Sequence, residues 1–155
     1  HSVMKQQSER LFLQAVRNND PITFAMIDLD YFKSVNDTYG HGAGDLVILS
    51  IARLLEQRLR STDVIGRMGG EEFAIIMPNT TTDSAYQVIE EIRRKFSNMC
   101  HESAAGLFHV TFSCGLASFP TYTDSASLYN AADKALYKAK EMGRNLTHIA
   151  YNKES

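Results

Sequence analysis

Apolar residues fall along this chain in two rhythms, stripes with a period near 3.6 and short unbroken runs, and their alternation predicts helices layered on a sheet. Met4 to Asn18 is mostly polar with Leu11, Leu13, Ala15 and Val16 interspersed, a surface helix ending at Asn18-Asn19-Asp20-Pro21. Ile22 to Ile27 is almost wholly apolar, as a strand covered on both faces should be. After the short segment Tyr31–Gly40, Ile48, Ile51, Ala52, Leu55 and Leu59 form one stripe of a helix expected to begin near Asp45. Val64–Arg67 and Phe73–Met77 read as a hairpin around two glycines. Ala85, Val88, Ile89, Ile92 and Phe96 mark a helix capped near Thr82 or Asp83. Val110, Phe112, Cys114 and Leu116 alternate with Thr111, Ser113, Gly115 and Ala117, the pattern of a central strand. Leu128 to Met142 is a last helix with Ala131, Ala135, Ala139 and Met142 along one side. Gly143 stops it, and Leu146–Ala150 reads as an edge strand. The order is αβααββαβαβ: an α/β (α+β) domain with a mostly antiparallel sheet and helices packed on it.

Composition narrows the choices. The 155 residues suit one domain, expected to span 1–155, with a hydrophobic content of 44% and a charged content of 22%. A net charge of −2 excludes the basic field that drives nonspecific nucleic-acid binding. No apolar run approaches the ~18–20 residues of a membrane span, and no signal-peptide pattern opens the chain. Cys100 and Cys114 form neither a CxxC motif nor a metal-ligand spacing, which fits two free thiols in a reducing, cytoplasmic compartment. The start at His1-Ser2 reads as a cut from something longer.

Chemistry concentrates in a few places. In Arg67-Met68-Gly69-Gly70-Glu71-Glu72-Phe73, two glycines run directly into two acids and an apolar strand. Glycine permits φ > 0 in a tight turn, and it lets a phosphate or metal approach main-chain N–H groups. A lone Gly-Gly-Glu-Glu would pass for a surface turn, but a second acidic element, Asp28-Leu29-Asp30, ends another apolar strand. Asp28 and Asp30 point the same way if the strand continues that far; Asp30 is equally readable as the cap of the following helical turn. Two like charges at a strand end are expensive without a cation, and if the Gly69-Gly70 hairpin lies beside this strand, Glu71 completes an oxygen-rich site for Mg²⁺ or Mn²⁺. Lys33 could face the same mouth. Asn36–His41 would ordinarily be a turn and Asp45 an N-cap. Lys140 and Arg144, four apart, would share a helical face suited to clamping phosphates, or to solvated cations at a helix C-terminus.

Taken in order, these pieces resemble the GGDEF family of bacterial diguanylate cyclases. The match runs through Asp28-Leu29-Asp30-Tyr31-Phe32-Lys33, Asn36-Asp37, Gly40-His41, Gly44-Asp45, Arg67, Gly69–Phe73, Ala132-Asp133, Ala135-Leu136-Tyr137, Ala139-Lys140 and Gly143-Arg144-Asn145. It covers about residues 20–150, and the signature is present as Gly69-Gly70-Glu71-Glu72-Phe73, a variant typical of active members. The Leu-Thr-Gly-Leu segment that usually opens such domains is not visible.

The resemblance implies a fold related to class III nucleotide cyclases and polymerase palms, with a central five-stranded, mostly antiparallel sheet. It implies condensation of two GTP into cyclic di-GMP with release of two pyrophosphates, in bacterial second-messenger signalling. In family terms Asp28, the carbonyl of Leu29 and Glu71 hold two Mg²⁺ (or Mn²⁺) ions. Asn36 and Asp45 read guanine, His41 lies beside the substrate, and Lys33, Lys140 and Arg144 hold phosphates. Phe32, Gly69 and Gly70 complete the substrate site, and Glu71 or Glu72 assists loss of the 3′-hydroxyl proton. Each domain binds one GTP, so catalysis implies a homodimer. The chemistry agrees: a 3′-hydroxyl is a poor nucleophile and a triphosphate is heavily charged, and paired cations answer both. Asp45 can accept from guanine N1–H and N2–H, a pattern adenine does not offer.

Arg60-Ser61-Thr62-Asp63 matches, at the same offset from the signature, the Arg-x-x-Asp of the family's product-inhibition site. Arg60 can bind a guanine edge or phosphate in bidentate fashion and Asp63 can accept from guanine. By itself the pair would be an exposed ion pair worth ~0–1 kcal/mol. Glu91, Arg93, Arg94 and Lys95 occupy the region where a neighbouring domain often supplies a further arginine. Two rival readings are a domain that binds nucleotide without turnover and a purely structural dimerisation module. Retention of Asp28 and Glu71 argues against both.

Overall fold

The computed structural model describes residues 2–151; the expected span 1–155 therefore takes in His1 and residues 152–155, which lie outside the described residues. Helix α1 (Ser2–Asn18) leads into β1 (Ile22–Leu29), α2 (Phe32–Tyr39) and α3 (His41–Arg58). The hairpin β2 (Val64–Arg67) and β3 (Glu72–Pro78) precedes α4 (Thr82–Ser97). A small hairpin, β4 (His101–Ser103) with β5 (Gly106–Phe108), then gives way to β6 (Phe112–Phe119), α5 (Ser125–Glu141) and β7 (Thr147–Ile149).

Five strands form one sheet in the order β2-β3-β1-β6-β7. Every pairing is antiparallel except β6 with β7. The apolar runs are uniform because both faces are covered, and the period of two sorts them. Ala25, Ile27, Leu29, Phe73, Ile75, Met77, Phe112, Cys114 and Leu116 face the core built with α2, α3 and α4. Ile22, Phe24, Met26, Ala74, Ile76, Ala117 and Phe119 face the core built with α1 and α5. Helix α5 lies directly on β6: a Cβ placed on Gly115 would collide with Ala132 O and Leu136 N and come within 2.8 Å of Ala135 C.

Several local expectations need correction. The Asn36–His41 segment is not a turn: Asn36–Tyr39 is the second half of α2, Gly40 (φ 92°) breaks the chain, and His41 begins α3. Helix α3 consequently starts at His41, and Asp45 lies in its second turn rather than capping it. The cap of α4 is Thr81, whose hydroxyl accepts from Ser84 N at 3.3 Å. The hairpin at 101–108 was not foreseen, because three-residue strands carry too little pattern.

Candidate active site

The register of β1 against β3 sets Asp28 opposite Glu72, and Leu29 N donates to Glu71 O at 3.2 Å just beyond the paired segment. Three carboxylates thus gather at the end of the central strand. Lys140, carried over the sheet by α5, bonds Asp28 Oδ2. Burial raises the pKa of Glu71, repulsion from Asp28 raises it further, and Lys140 draws it partly back. Glu72 is raised by the same causes in the same order, with Asp133 adding repulsion. Asp133 stands seven residues before Lys140, two turns along the same helical face, and that spacing is the sequence signal for it.

Arg67 fixes the glycine turn that aims these acids. Its Nε donates to the carbonyls of Gly69 and Gly70 at 3.2 Å each, and its Nη2 donates to Gly70 O at 2.6 Å. Neither Gly69 nor Gly70 has a positive φ, so left-handed backbone is not why glycine stands there. A Cβ on Gly70 would meet nothing within 4 Å. What the glycines provide is bare, accessible main chain beside the carboxylates, the second of the two reasons drawn from the sequence.

The donor set fits a hard divalent cation. It is all oxygen and anionic, and its members repel one another where water is partly excluded. Among the described residues no three His, Cys, Asp or Glu side chains converge in ligating geometry.

Asp30 takes neither role expected of it. Strand β1 stops at Leu29, and α2 has no side-chain cap. The Asp30 carboxylate, 5% exposed, accepts from Thr111 Oγ1 and Ser113 Oγ at 2.7 Å each and from Asn145 N at 3.0 Å. It is fully engaged inside the fold.

On the other side of the mouth, Phe32 packs half-buried on the core and Lys33 is exposed. The Asn36 side chain lies against the start of α3, where Gly44 leaves it room: a Cβ on Gly44 would overlap Asn36 Oδ1, at 3.0 Å from Cγ and 3.2 Å from Phe32 Cζ. His41 and Asp45 are exposed on the adjoining turns of α3. Asn36 and Asp45 are thereby brought to one neighbourhood by a helix–helix contact.

Arg144 is not on the face of α5 that its spacing from Lys140 suggested. The helix ends at Glu141, Gly143 turns left-handed (φ 117°), and Arg144 and Asn145 follow with φ 64° and 52°. The Arg144 guanidinium sits 4.8 Å from the centre of the Tyr31 ring, which follows the end of β1. Lys140 and Arg144 still reach the same strand end, by different routes.

Arg60 and Asp63 lie at the far end of β3, since that strand runs from Glu72 at the mouth to Pro78 beside Arg60. Over six residues that separates the two places by about 20 Å. Arg60 Nη2 donates to Pro78 O at 2.8 Å and to Thr80 Oγ1, and Arg60 N donates to Asp63 Oδ2 at 2.8 Å. The pair is no simple surface bridge: the Arg60 side chain is 55% exposed but that of Asp63 only 4%. Asp63 Oδ1 has no hydrogen-bond donor among the described residues, and both side chains line a cavity of about 240 Å³ with Asn79, Thr80 and Val88. Arg58 also lines it, whereas Arg93 is committed to Glu90 and to Asn145, whose N–H bonds Asp30.

Among the described residues no helix is long and apolar enough to cross a membrane. A sequence model of the diguanylate cyclase GGDEF domain matches residues 1–146. Diguanylate cyclase A of Treponema denticola is 38% identical over 134 residues, 86% of this chain and 36% of that protein. The chain thus spans about a third of the length of that relative. The active GGEEF domain of a diguanylate cyclase from Vibrio cholerae superposes with a TM-score of 0.88 at 34% identity, covering 95% of this chain and 94% of that one. The GGDEF domain of DgcB from Caulobacter crescentus, solved in complex with c-di-GMP, gives 0.91 at 32% identity, with 99% and 90% covered. The chain belongs to the GGDEF family of diguanylate cyclase domains.

Proposed function

We propose that this GGDEF domain condenses two molecules of GTP into cyclic di-GMP, releasing two pyrophosphates, in the cytoplasm of a bacterium. The observation that carries the reading is the gathering of Asp28, Glu71 and Glu72 at one strand end, opposed by Lys140. Asp28, the Leu29 carbonyl and Glu71 would hold two Mg²⁺ or Mn²⁺ ions, which neutralise triphosphate charge and acidify a 3′-hydroxyl when bound. Asn36 and Asp45 read the guanine edge from adjoining helices, with His41 beside them and Phe32 beneath. Lys33, Lys140 and Arg144 hold phosphates, and Gly69 and Gly70 admit the nucleotide close to the main chain. Glu71 or Glu72 would take the 3′-hydroxyl proton; the raised pKa favours Glu72 for this, since a cation held by Glu71 would draw that carboxylate's pKa back down. Lys140, paired with Asp28 in the structure, would turn to the phosphates of a bound nucleotide.

Each domain supplies half of the chemistry, so two copies must meet face to face as a homodimer. Product binds Arg60 and Asp63, about 20 Å from the carboxylates, and by joining domains there it holds the active faces apart. Incubation with GTP and Mg²⁺ followed by chromatography tests the reading. Cyclic di-GMP should form from GTP, ATP should be turned over at least a hundredfold less well, and Asp28→Asn and Glu71→Gln should abolish turnover in a folded protein. Equal use of ATP, or normal rates in either variant, would refute it.

A further inference from the structure

Three consecutive residues after α5, Gly143, Arg144 and Asn145, have left-handed backbone, with φ 117°, 64° and 52°. Glycine adopts that conformation freely and asparagine tolerates it. Arginine does so at a cost, and such strain persists only where the surroundings over-determine it. The helix end fixes the start of the turn, with Arg144 N donating to Ala139 O at 3.0 Å, and two charged groups fix its far side at Asn145. From one side the Asp30 carboxylate accepts from Asn145 N at 3.0 Å. From the other, Arg93 Nη1 donates to Asn145 O at 3.0 Å and to Asn145 Oδ1 at 2.7 Å.

Both groups are themselves immobilised. Asp30 is held by Thr111 and Ser113. Arg93 is held by a two-pronged bond to Glu90, at 2.6 Å and 2.8 Å, and Glu90 also accepts from Thr147 Oγ1 at 2.8 Å. The side chains of Arg93 and Glu90 are only 12% and 11% exposed. A planar guanidinium with fixed donors can serve a carboxylate on one edge and a loop on another, which an ammonium cannot. Among the described residues no side-chain hydrogen bond or ion pair joins Arg93, Asp30 or Asn145 to Asp28, Glu71 or Glu72.

We propose that Arg93, Asp30 and Asn145 are positioning residues. Together they hold the turn that presents the Arg144 guanidinium, already resting on Tyr31, to the phosphates of the nucleotide. The proposal rests on the reading of Arg144 as a phosphate-holding residue. Its consequence is that α4, remote in sequence from the mouth, acts on nucleotide affinity through a single loop.

Calorimetric titration with the Mg²⁺ complex of a GTP analogue bridged by an α,β-methylene group tests this without turnover. Arg93→Lys keeps a cation beside buried Glu90 but loses the fork, and Asn145→Gly keeps the left-handed backbone but loses Oδ1. Each should raise the Kd roughly five- to tenfold, the scale of one or two lost hydrogen bonds, with little change in kcat and a matching rise in KM. Arg144→Ala should raise it about ten- to a hundredfold. In the Arg144→Ala background, Arg93→Lys and Asn145→Gly should add nothing, because their effect passes through Arg144. Parental affinity in either folded single variant, or effects that multiply in the double variants, would overturn the clamp while leaving Arg144's own role standing. Parental affinity in Arg144→Ala would instead overturn the phosphate reading, and the clamp with it.

Discussion

Gly44→Ala should separate recognition from stability. Gly44 is buried in the first turn of α3 with ordinary helical backbone, so alanine there favours the helix by about 0.5–1 kcal/mol. The added methyl, however, would overlap Asn36 Oδ1 and stand 3.0 Å from its Cγ. The obstruction is the end of a side chain, so the amide can rotate aside, and the small pressure on Phe32 Cζ at 3.2 Å is absorbed by a half-buried ring. Stability measured by urea unfolding should therefore change by less than about 1 kcal/mol. Guanine recognition should not survive as well, because a displaced amide leaves a base edge unpaired. At ~1–3 kcal/mol for a polar group left unsatisfied, KM for GTP should rise roughly five- to 150-fold. Discrimination against ATP should fall by a similar factor. Steady-state kinetics with both nucleotides measures this. Unchanged KM in a folded variant would refute the placement of Asn36 at the base. A stability loss above about 2 kcal/mol would refute the claim that the amide can move away.

Gly115→Ala is the contrasting case: its Cβ meets the backbone of α5, which cannot rotate aside, so the helix must shift. A loss of about 1–3 kcal/mol or more in urea unfolding is expected, together with lost turnover as α5 carries Lys140 away from the strand end. Native stability here would show that α5 is free to slide. The raised pKa of Glu71 and Glu72 means that the folded chain holds protons more tightly than the unfolded chain. Their contribution therefore favours the fold at low pH and is lost as pH rises through the folded values. Mg²⁺ should reverse that loss, raising Tm at neutral pH and fading as pH falls through those raised values; a pH-independent shift would place the cation elsewhere. Arg60→Ala should keep the fold and GTP turnover yet accumulate more cyclic di-GMP before slowing, and inhibition as strong as in the parent would leave Arg60 a structural residue.

How much of this was legible in the sequence follows from what each signal encodes. Apolar periodicity records how an element is covered, so the unbroken runs of β1 and β3 and the stripes of α3 and α4 were readable, and the spaced motifs pointed to acids that the structure brings to one strand end. Periodicity does not record partners. That β7 joins β6 in parallel, and that Asp28 stands opposite Glu72, are matters of register settled by the whole sheet. Spacing misled where the backbone left its regular path. Asp30 lies one residue past the end of β1, and Arg144 lies beyond the end of α5, so rules for strands and helices no longer applied to them. The glycines show the same division. Gly143 announced a helix end, which is a local property. The clearances that Gly44 gives Asn36 and Gly115 gives α5 depend on atoms that tertiary packing brings near. Arg93 reaches Asn145 across 52 residues of chain; the sequence named both residues, and only the close packing of α4 against the loop after α5 joined them.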